Sequence, residues 1–341
     1  MLFVCFSHVY QRTVPGATAT VLLGVFYSVH MAMFMFVGGY FVKRCDKILD
    51  LLKYFLKMLL YYVVPAVIFT VLTVISMERY SNKSVLEWLI EFVVRTDTFY
   101  WYAVAAFVIN GFLAIGYFVA RKLAKRDGFV GEVIKNLLTL AALAVLLLPF
   151  IFLFKSEHYG FLSANLIIEF APLAVLGFLF KSFGEYIPET KITKLIELLL
   201  SAVCLALYII ALVSFKGWLD KATTARLLLH QLGSIAGVYV YYVLAKWLTK
   251  VRAVREMSVY GKYSYQLYLV HVYLIRVITP YVSKIAEVNF YSASFVIIYA
   301  LVFTFGSLVI SIALTKNRYL NLVLFGDYRA FCKQKSTKFT A

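Results

Sequence analysis

Long apolar runs alternate with short polar segments along the whole chain. A helix of about 20 apolar residues matches the hydrocarbon thickness of a bilayer. Nine runs reach this length, at residues 17–42, 52–77, 99–120, 136–154, 162–180, 195–215, 226–246, 263–283 and 292–315. A tenth run, at 1–10, is too short to cross alone. The pattern predicts an all-α, polytopic integral membrane protein with about ten transmembrane helices, the first of them truncated at Met1.

The polar segments between these runs are short, and none has the length or pattern of a separate domain. We therefore expect residues 1–341 to form one membrane domain with no appended soluble domain. The longest polar segment, at about 78–97, contains the stretch NKSVLEWLIEFVVR. Its apolar and charged positions predict a short amphipathic helix that lies at the membrane interface.

The composition supports a membrane protein. The chain is 63% hydrophobic and only 15% charged, whereas soluble domains carry about 25% charged residues. The net charge of +17 would indicate nucleic-acid binding in a soluble protein. Here no basic stretch is interleaved with aromatic residues, so we expect no nucleic-acid partner and attribute the charge to cytoplasmic loops, which collect Lys and Arg.

The distribution of basic residues predicts the topology. Of the 34 Lys and Arg residues, 24 fall on one set of alternating loops and the C-terminal tail, and ten fall on the other set. The more basic side of a membrane protein is cytoplasmic. We therefore expect a multi-pass protein of the bacterial plasma membrane, with both termini cytoplasmic and the segment 78–97 outside.

The cysteines give no sign of a metal site or a disulfide framework. The four are Cys5, Cys45, Cys204 and Cys332, and none has CxxC spacing. We expect no metal.

A few polar residues fall inside the predicted spans, where ionisable side chains are costly and usually functional. They are His8, His30, Glu169, His230, His271 and Arg276. For the histidines and Glu169 the alternative is a packing role within the bundle, and for Arg276 it is a side chain that extends outward to the membrane surface. His271 stands out because Ser264, Tyr268 and His271 are spaced i, i+4 and i+7, which places them on one helix face. Such a stripe must face protein or a water-filled cavity.

Several of these segments together resemble the acyltransferase-3 family of integral membrane acyltransferases. The stretch GKYSYQLYLVH is similar to the signature near the end of that family, and YSVHMAMFMFVGGYFVKR resembles its second span, in the form typical of the fucose 4-O-acetylase-like branch. The segments FVCFSHVY, YWYAVAAF and FAPLAVLGFLFK are weaker matches in the expected order.

The chain also departs from the family pattern. The arginine of the family's first helix would lie upstream of Met1, and Gly38 replaces a serine of the second span. The entry to the third span carries Lys53 and Lys57 where the family is usually rich in Arg.

The resemblance implies transfer of an acyl group, usually acetyl, from cytoplasmic acyl-CoA to a hydroxyl of an extracytoplasmic glycan or lipid-linked sugar. His8 then corresponds to a catalytic base, since imidazole suits proton transfer near pH 7. His30 or His271 orients the base or stabilises charge at the thioester carbonyl, and Glu169 belongs to the same catalytic set. An acyl-histidine relay is the alternative to direct transfer.

The resemblance also implies where the substrates bind. Lys53 and Lys57 are expected to hold the phosphates of acyl-CoA, with ordinary positive-inside charge as the alternative reading. Trp101, Ser264 and Tyr268 are expected to contact substrate. The surrounding partners are membrane lipids.

Two other classes of function remain open from the sequence. The protein could export or assemble polysaccharide without acyl transfer, or it could be a proton-coupled transporter that uses Glu169 and the histidines as a relay. Dependence on acyl-CoA separates the transferase from both.

Overall fold

A computed structural model describes residues 2–13, 21–77, 84–94, 100–154, 161–184, 186–214, 224–285 and 293–327. The structure is 90% helix, and these ranges contain no strand. The all-α prediction is therefore confirmed.

Fourteen α-helices occur in the described part of the chain. They are α1 Leu2–Thr13, α2 Val21–Tyr40, α3 Ile48–Met58, α4 Val64–Met77, α5 Val85–Val94, α6 Trp101–Leu123, α7 Gly128–Pro149, α8 Ala164–Gly184, α9 Lys191–Ser214, α10 Thr224–Leu248, α11 Arg252–Met257, α12 Ser264–Ile285, α13 Ala293–Lys316 and α14 Arg318–Phe325.

Among the described residues, seven helical segments are long and apolar enough to cross a membrane. They are Ile48–Ser76, Trp101–Leu123, Gly128–Phe154, Phe161–Gly184, Lys191–Ser214, Leu228–Leu248 and Ile297–Lys316. These seven coincide with seven of the nine expected full spans. Helices α2 and α12 lie at the other two expected positions, and α1 lies at the partial one. The count of ten spans stays a prediction.

Helix α2 lies at the centre of the bundle, where it packs against α1, α6, α8 and α10. Its contact with α8 is especially close. A Cβ atom on Gly39 would collide with the backbone of Ala174, and one on Gly177 would collide with the backbone of Phe36. Small residues allow such close approach in membrane bundles, where packing rather than hydrophobicity drives helix association.

A polar cluster ties together one end of the bundle, which we call the basic end because Lys43, Arg44 and Arg121 lie there. Arg44 Nη1 donates to Glu132 Oε1 at 3.1 Å, and Arg44 Nη2 donates to the Ser182 hydroxyl. Its guanidinium also lies over the ring of Tyr117, 5.1 Å from the centroid. The cluster fixes the α2–α3 connection against α6, α7 and α8.

A π-helical turn at Leu59–Val63 joins α3 to α4 within one long span. The short helix α14 packs behind this turn. Its last residue, Phe325, is fully buried and stacks on Phe69 with ring centroids 5.9 Å apart. Gly326 ends the helix at φ 66°, and a Cβ there would collide with the carbonyl of Leu60. Gly suits both the left-handed φ and the close approach.

The amphipathic helix expected within 78–97 is present as α5. Ser84 and Glu87 form a reciprocal cap at its start: the Ser84 N–H donates to Glu87 Oε2 at 2.6 Å, and the Glu87 N–H donates to Ser84 Oγ at 3.3 Å. This pairing satisfies backbone donors that the first turn of a helix leaves without partners.

Candidate functional site

Three histidines that are far apart in sequence meet inside the bundle. The ring centroids of His8 and His271 are 5.7 Å apart, and those of His8 and His30 are 6.4 Å apart. His30 and His271 are buried, whereas His8 is only partly buried. The structure therefore places the predicted catalytic histidines of α1, α2 and α12 in one cluster, with His8 next to both of the others.

The hydrogen bonding of His271 settles which ring nitrogen carries the proton when the imidazole is neutral. His271 Nδ1 lies 2.9 Å from the carbonyl oxygen of Leu267, one turn earlier in α12. A carbonyl oxygen only accepts, so Nδ1 is the donor and Nε2 carries a lone pair. Nε2 is buried and has no hydrogen-bond partner. His271 thus presents a buried proton acceptor.

Tyr268 lies next to His271 and is held by several aromatic rings. Its ring centroid is 5.9 Å from that of His271, 5.5 Å from Tyr102, 6.1 Å from Tyr100 and 6.1 Å from Tyr265. Only 5% of Tyr268 is exposed, and its hydroxyl makes no well-formed hydrogen bond. This fixed ring therefore brings a buried hydroxyl close to the histidine cluster.

A cavity of about 600 Å³ leads from the basic end of the bundle to Tyr268. Its walls come from α2, α3, the π-helical turn, α6 and the start of α12. The lining residues are Phe34, Val37, Gly38, Phe41, Lys43, Lys53, Tyr54, Lys57, Met58, Tyr61, Tyr62, Tyr102, Asn110, Ser264, Tyr265 and Tyr268. The cavity is within the size range of small-molecule sites.

The two ends of this cavity differ in chemistry. Lys43, Lys53 and Lys57 are exposed on its wall and give it a positive charge. Tyr102 and Tyr268 are buried and aromatic, and Tyr268 adjoins His271. A ligand with an anionic group at one end and a reactive group at the other fits this polarity.

Ser264 and Tyr268 both line the cavity, as expected for a polar stripe that faces an opening. Trp101 does not line it and stacks instead on Phe170 of α8, with ring centroids 5.3 Å apart. The substrate contact expected for Trp101 therefore cannot arise from this cavity wall.

Glu169 lies in a second polar group between α8 and α10. Its Oε1 atom is 3.9 Å from His230 Nδ1, and its backbone carbonyl accepts from Gln231 Nε2 at 2.8 Å. The side chains of Glu169 and His230 are only 11% and 8% exposed. The structure thus pairs Glu169 with His230, which the sequence pattern had placed among the intramembrane polar residues but not in the catalytic set.

Sequence reasoning missed most of the tyrosines at this site. Tyr61, Tyr62 and Tyr265 pack together, with Tyr61 stacked on Tyr265 at 5.0 Å, and the Tyr265 hydroxyl donates to the carbonyl of Tyr62 at 2.9 Å. That carbonyl belongs to the π-helical turn, a feature that often marks functional sites. In the sequence, this tyrosine cluster was indicated only by the adjacent pair Tyr61–Tyr62, which lies shortly before Pro65.

Within the described ranges, no group of three or more His, Cys, Asp or Glu side chains has an arrangement that could hold a metal ion.

Comparison with known proteins gives a family match over most of the chain. The acyltransferase domain family Acyl_transf_3 matches residues 1–316, which include every helix from α1 to α13. No curated protein and no solved structure matches the chain. The match covers the histidine cluster and the whole cavity, and it is consistent with a multi-pass membrane protein. The chain therefore belongs to the acyltransferase-3 family of membrane acyltransferases.

Proposed function

We propose that the protein transfers an acetyl group from acyl-CoA, bound at the basic end of the bundle, to a hydroxyl of an extracytoplasmic glycan or lipid-linked sugar. One observation carries this proposal: a single cavity has lysines on one wall and ends at Tyr268, beside the histidine cluster. Family membership supports acyl transfer in general. The donor and the acceptor are our proposal.

The donor fits the cavity by charge. CoA carries several phosphate groups, and Lys ammonium groups bind phosphate as point charges. Lys53 and Lys57 lie one turn apart on α3, and Lys43 precedes that helix on the same wall. We assign these lysines to the phosphates, so that the thioester end of the molecule points towards Tyr268.

The chemistry needs a base, because an alcohol is a weak nucleophile near neutral pH. His8 is the most accessible of the three histidines, and we assign it as the base. The Nε2 lone pair of His271 can accept a hydrogen bond from the neighbouring imidazole and orient it, much as a carboxylate orients histidine in a hydrolase triad. His30 also adjoins His8, and we assign it to the support of the same ring.

Bond making and breaking balance within this site. The acceptor oxygen attacks the thioester carbon while His8 takes the hydroxyl proton. The C–S bond then breaks, and the CoA thiolate receives that proton.

We assign Glu169, together with His230, to the acceptor side, where a carboxylate can bind sugar hydroxyls.

The proposed arrangement requires the basic end to face the cytoplasm. The distribution of Lys and Arg supports this orientation, and we propose a bacterial plasma-membrane protein with cytoplasmic termini. Reporters inserted next to Glu87 and next to Lys125 should report opposite compartments. The same compartment for both would contradict the orientation.

The function is tested with membrane vesicles that carry the wild-type protein, acetyl-CoA labelled in the acetyl group, and envelope glycan. We expect label to enter the glycan as a base-labile ester, with release of one CoA thiol per ester. Vesicles with His8→Ala serve as the control. If the polymer crosses the membrane unmodified and no acetyl-CoA is consumed, the export reading replaces the transferase.

A further inference from the structure

The inner end of the cavity lies at the N-terminus of a helix, next to a buried hydroxyl that has no hydrogen-bond partner among the described residues. Helix α6 begins there, at Trp101, and its N-cap residue Tyr100 provides no side-chain cap. The first backbone N–H groups of a helix have no partner within that helix. Tyr100 and Tyr102 are both buried, so water does not readily take the place of a cap.

The Tyr268 hydroxyl is aimed at this helix start. The backbone N–H of Tyr102 approaches it without a well-formed hydrogen bond. The hydroxyl hydrogen itself has no acceptor, although the side chain is 95% buried. An unpaired buried hydroxyl is costly, and the packed rings of Tyr100, Tyr102 and Tyr265 prevent it from turning away. The hydrogen of the Tyr268 hydroxyl therefore has no acceptor among the described residues, and it lies beside the backbone N–H of Tyr102 at the start of α6.

The neighbouring donor groups around the site each have a hydrogen-bond acceptor. The hydroxyl of Tyr265 donates to the carbonyl of Tyr62, and the hydroxyl of Tyr102 donates to the carbonyl of Phe34 at 3.3 Å. The Nδ1 proton of His271 is bound to Leu267. The contrast singles out the Tyr268 hydroxyl among the tyrosines of the inner end.

We propose that the start of α6 and the Tyr268 hydroxyl form an oxyanion hole for the acyl transfer. This inference rests on the proposed function, and it assigns to Tyr268 a catalytic role in place of a general substrate contact. It also moves charge stabilisation at the thioester carbonyl away from His30 and His271.

The reaction supplies the acceptor that the Tyr268 hydroxyl lacks. When the acceptor oxygen bonds to the thioester carbon, the carbonyl π electrons move to the carbonyl oxygen and make it an anion. A helix start favours negative charge, and fixed donors in a water-poor site stabilise developing charge strongly. The C=O bond re-forms as the C–S bond breaks, and the sulfur takes the proton held by the histidine.

The position of the donors relative to the base fits this role. Tyr102 and Tyr268 line the cavity, and the Tyr268 ring is 5.9 Å from that of His271 by centroid. A thioester that enters from the basic end therefore meets the two donors immediately before the histidine cluster. The donors at the start of α6 then bind the carbonyl oxygen, while the histidine cluster takes the proton of the attacking hydroxyl.

The test compares two Tyr→Phe variants in the full-length protein. For Tyr268→Phe we expect kcat to fall by about 10²–10³-fold, the loss typical of one oxyanion donor, with an unchanged KM for acetyl-CoA. Thermal stability in detergent should be equal or higher, because an unpaired buried hydroxyl is removed.

Tyr208→Phe is the matched control. Its hydroxyl is satisfied, by Ser28 Oγ at 2.9 Å and by the Val25 carbonyl at 3.0 Å, away from the cavity. This variant should lose stability and keep its kcat. Tyr268→Phe should thus lose kcat and keep its stability, whereas Tyr208→Phe should lose stability and keep its kcat. A general loss of folding cannot produce this pair of results.

A binding experiment tests the same assignment without turnover. The probe is a CoA derivative whose thioester carbonyl is replaced by an anionic, tetrahedral phosphonate. We expect Tyr268→Phe to bind this probe about 10²-fold more weakly than the wild type does and to bind free CoA equally well. Wild-type kcat or equal phosphonate binding in Tyr268→Phe would overturn the oxyanion hole while leaving the proposed function intact. A wild type that consumes no acetyl-CoA would instead overturn the proposed function.

Discussion

Replacement of His271 by Leu tests whether His271 positions the catalytic base His8 or only packs within the bundle. His271 is fully buried, with one hydrogen bond from Nδ1 to Leu267 and an unpaired Nε2. Loss of that bond costs about 0.5–1.5 kcal/mol, whereas removal of the unpaired nitrogen returns about 1–3 kcal/mol. The free energy of unfolding should therefore change by about −0.5 to +2.5 kcal/mol relative to the wild-type value.

The activity should respond very differently. Loss of the group that orients a catalytic base costs up to about 10⁴-fold in rate, and a loss of 10²–10⁴-fold corresponds to about 3–5 kcal/mol in the activation barrier. We expect His271→Leu to insert and fold normally while acetyl transfer per folded molecule falls by that factor. His271→Asn, which keeps a donor towards Leu267 but has no basic nitrogen, should be equally inactive.

Thr139→Val is the matched control for this substitution. Thr139 is fully buried and donates to the carbonyl of Lys135, one turn earlier, at 2.7 Å, so the variant loses the same type of bond away from the cavity. It should lose about 1 kcal/mol of stability and no activity. The assays are thermal unfolding in detergent and acetyl transfer per unit of folded protein. Full transfer by His271→Leu, or a parallel loss of folded protein and activity, would refute the catalytic reading.

Three further predictions concern the charge on the cavity wall, the close contact between α2 and α8, and the partly buried ion pair of Arg44 and Glu132. Lys57→Gln should raise the KM for acetyl-CoA about two- to fivefold at low salt, as expected for one exposed charge, and high salt should abolish the difference. Gly177→Ala should sharply lower the yield of folded protein, because the added methyl collides with the backbone of α2; Gly184→Ala, on the same helix with open space around it, is the control. Arg44→Gln should lower stability by about 1–3 kcal/mol by leaving Glu132 without its charged partner, and the added change Glu132→Gln should restore part of the loss; no recovery in thermal unfolding would show that the pair is not coupled.

The sequence predicted those parts of the fold that depend on one local property at a time. Among the described residues, apolar length located seven helical segments that are long and apolar enough to cross a membrane, because the bilayer sets a single length scale for every helix. The i, i+4, i+7 spacing of Ser264, Tyr268 and His271 predicted a shared face, since helical geometry alone determines it. The convergence of His8, His30 and His271 came from the family resemblance, since nothing local connects three separate helices.

The missed features depend on contacts between distant segments. Tyr102 and Tyr265 are two of 26 tyrosines, and no local signal marks those at the inner end of a cavity. The orientation of Trp101 could not be predicted either, because its neighbour Phe170 comes from another helix. The pairing of Glu169 with His230 likewise depends on how α8 and α10 pack.

The short helix α14 extends the packed structure beyond the region that matches the family. The family match stops at residue 316, yet Phe325 is buried against Phe69 and Gly326 rests on the turn that carries Tyr61 and Tyr62. A chain shortened to the matched region would uncover an aromatic surface and loosen the wall that holds these tyrosines. Expression vectors that place the last codon or a purification tag at residue 316 would therefore remove part of the cooperative unit, and the first safe position lies beyond Gly326.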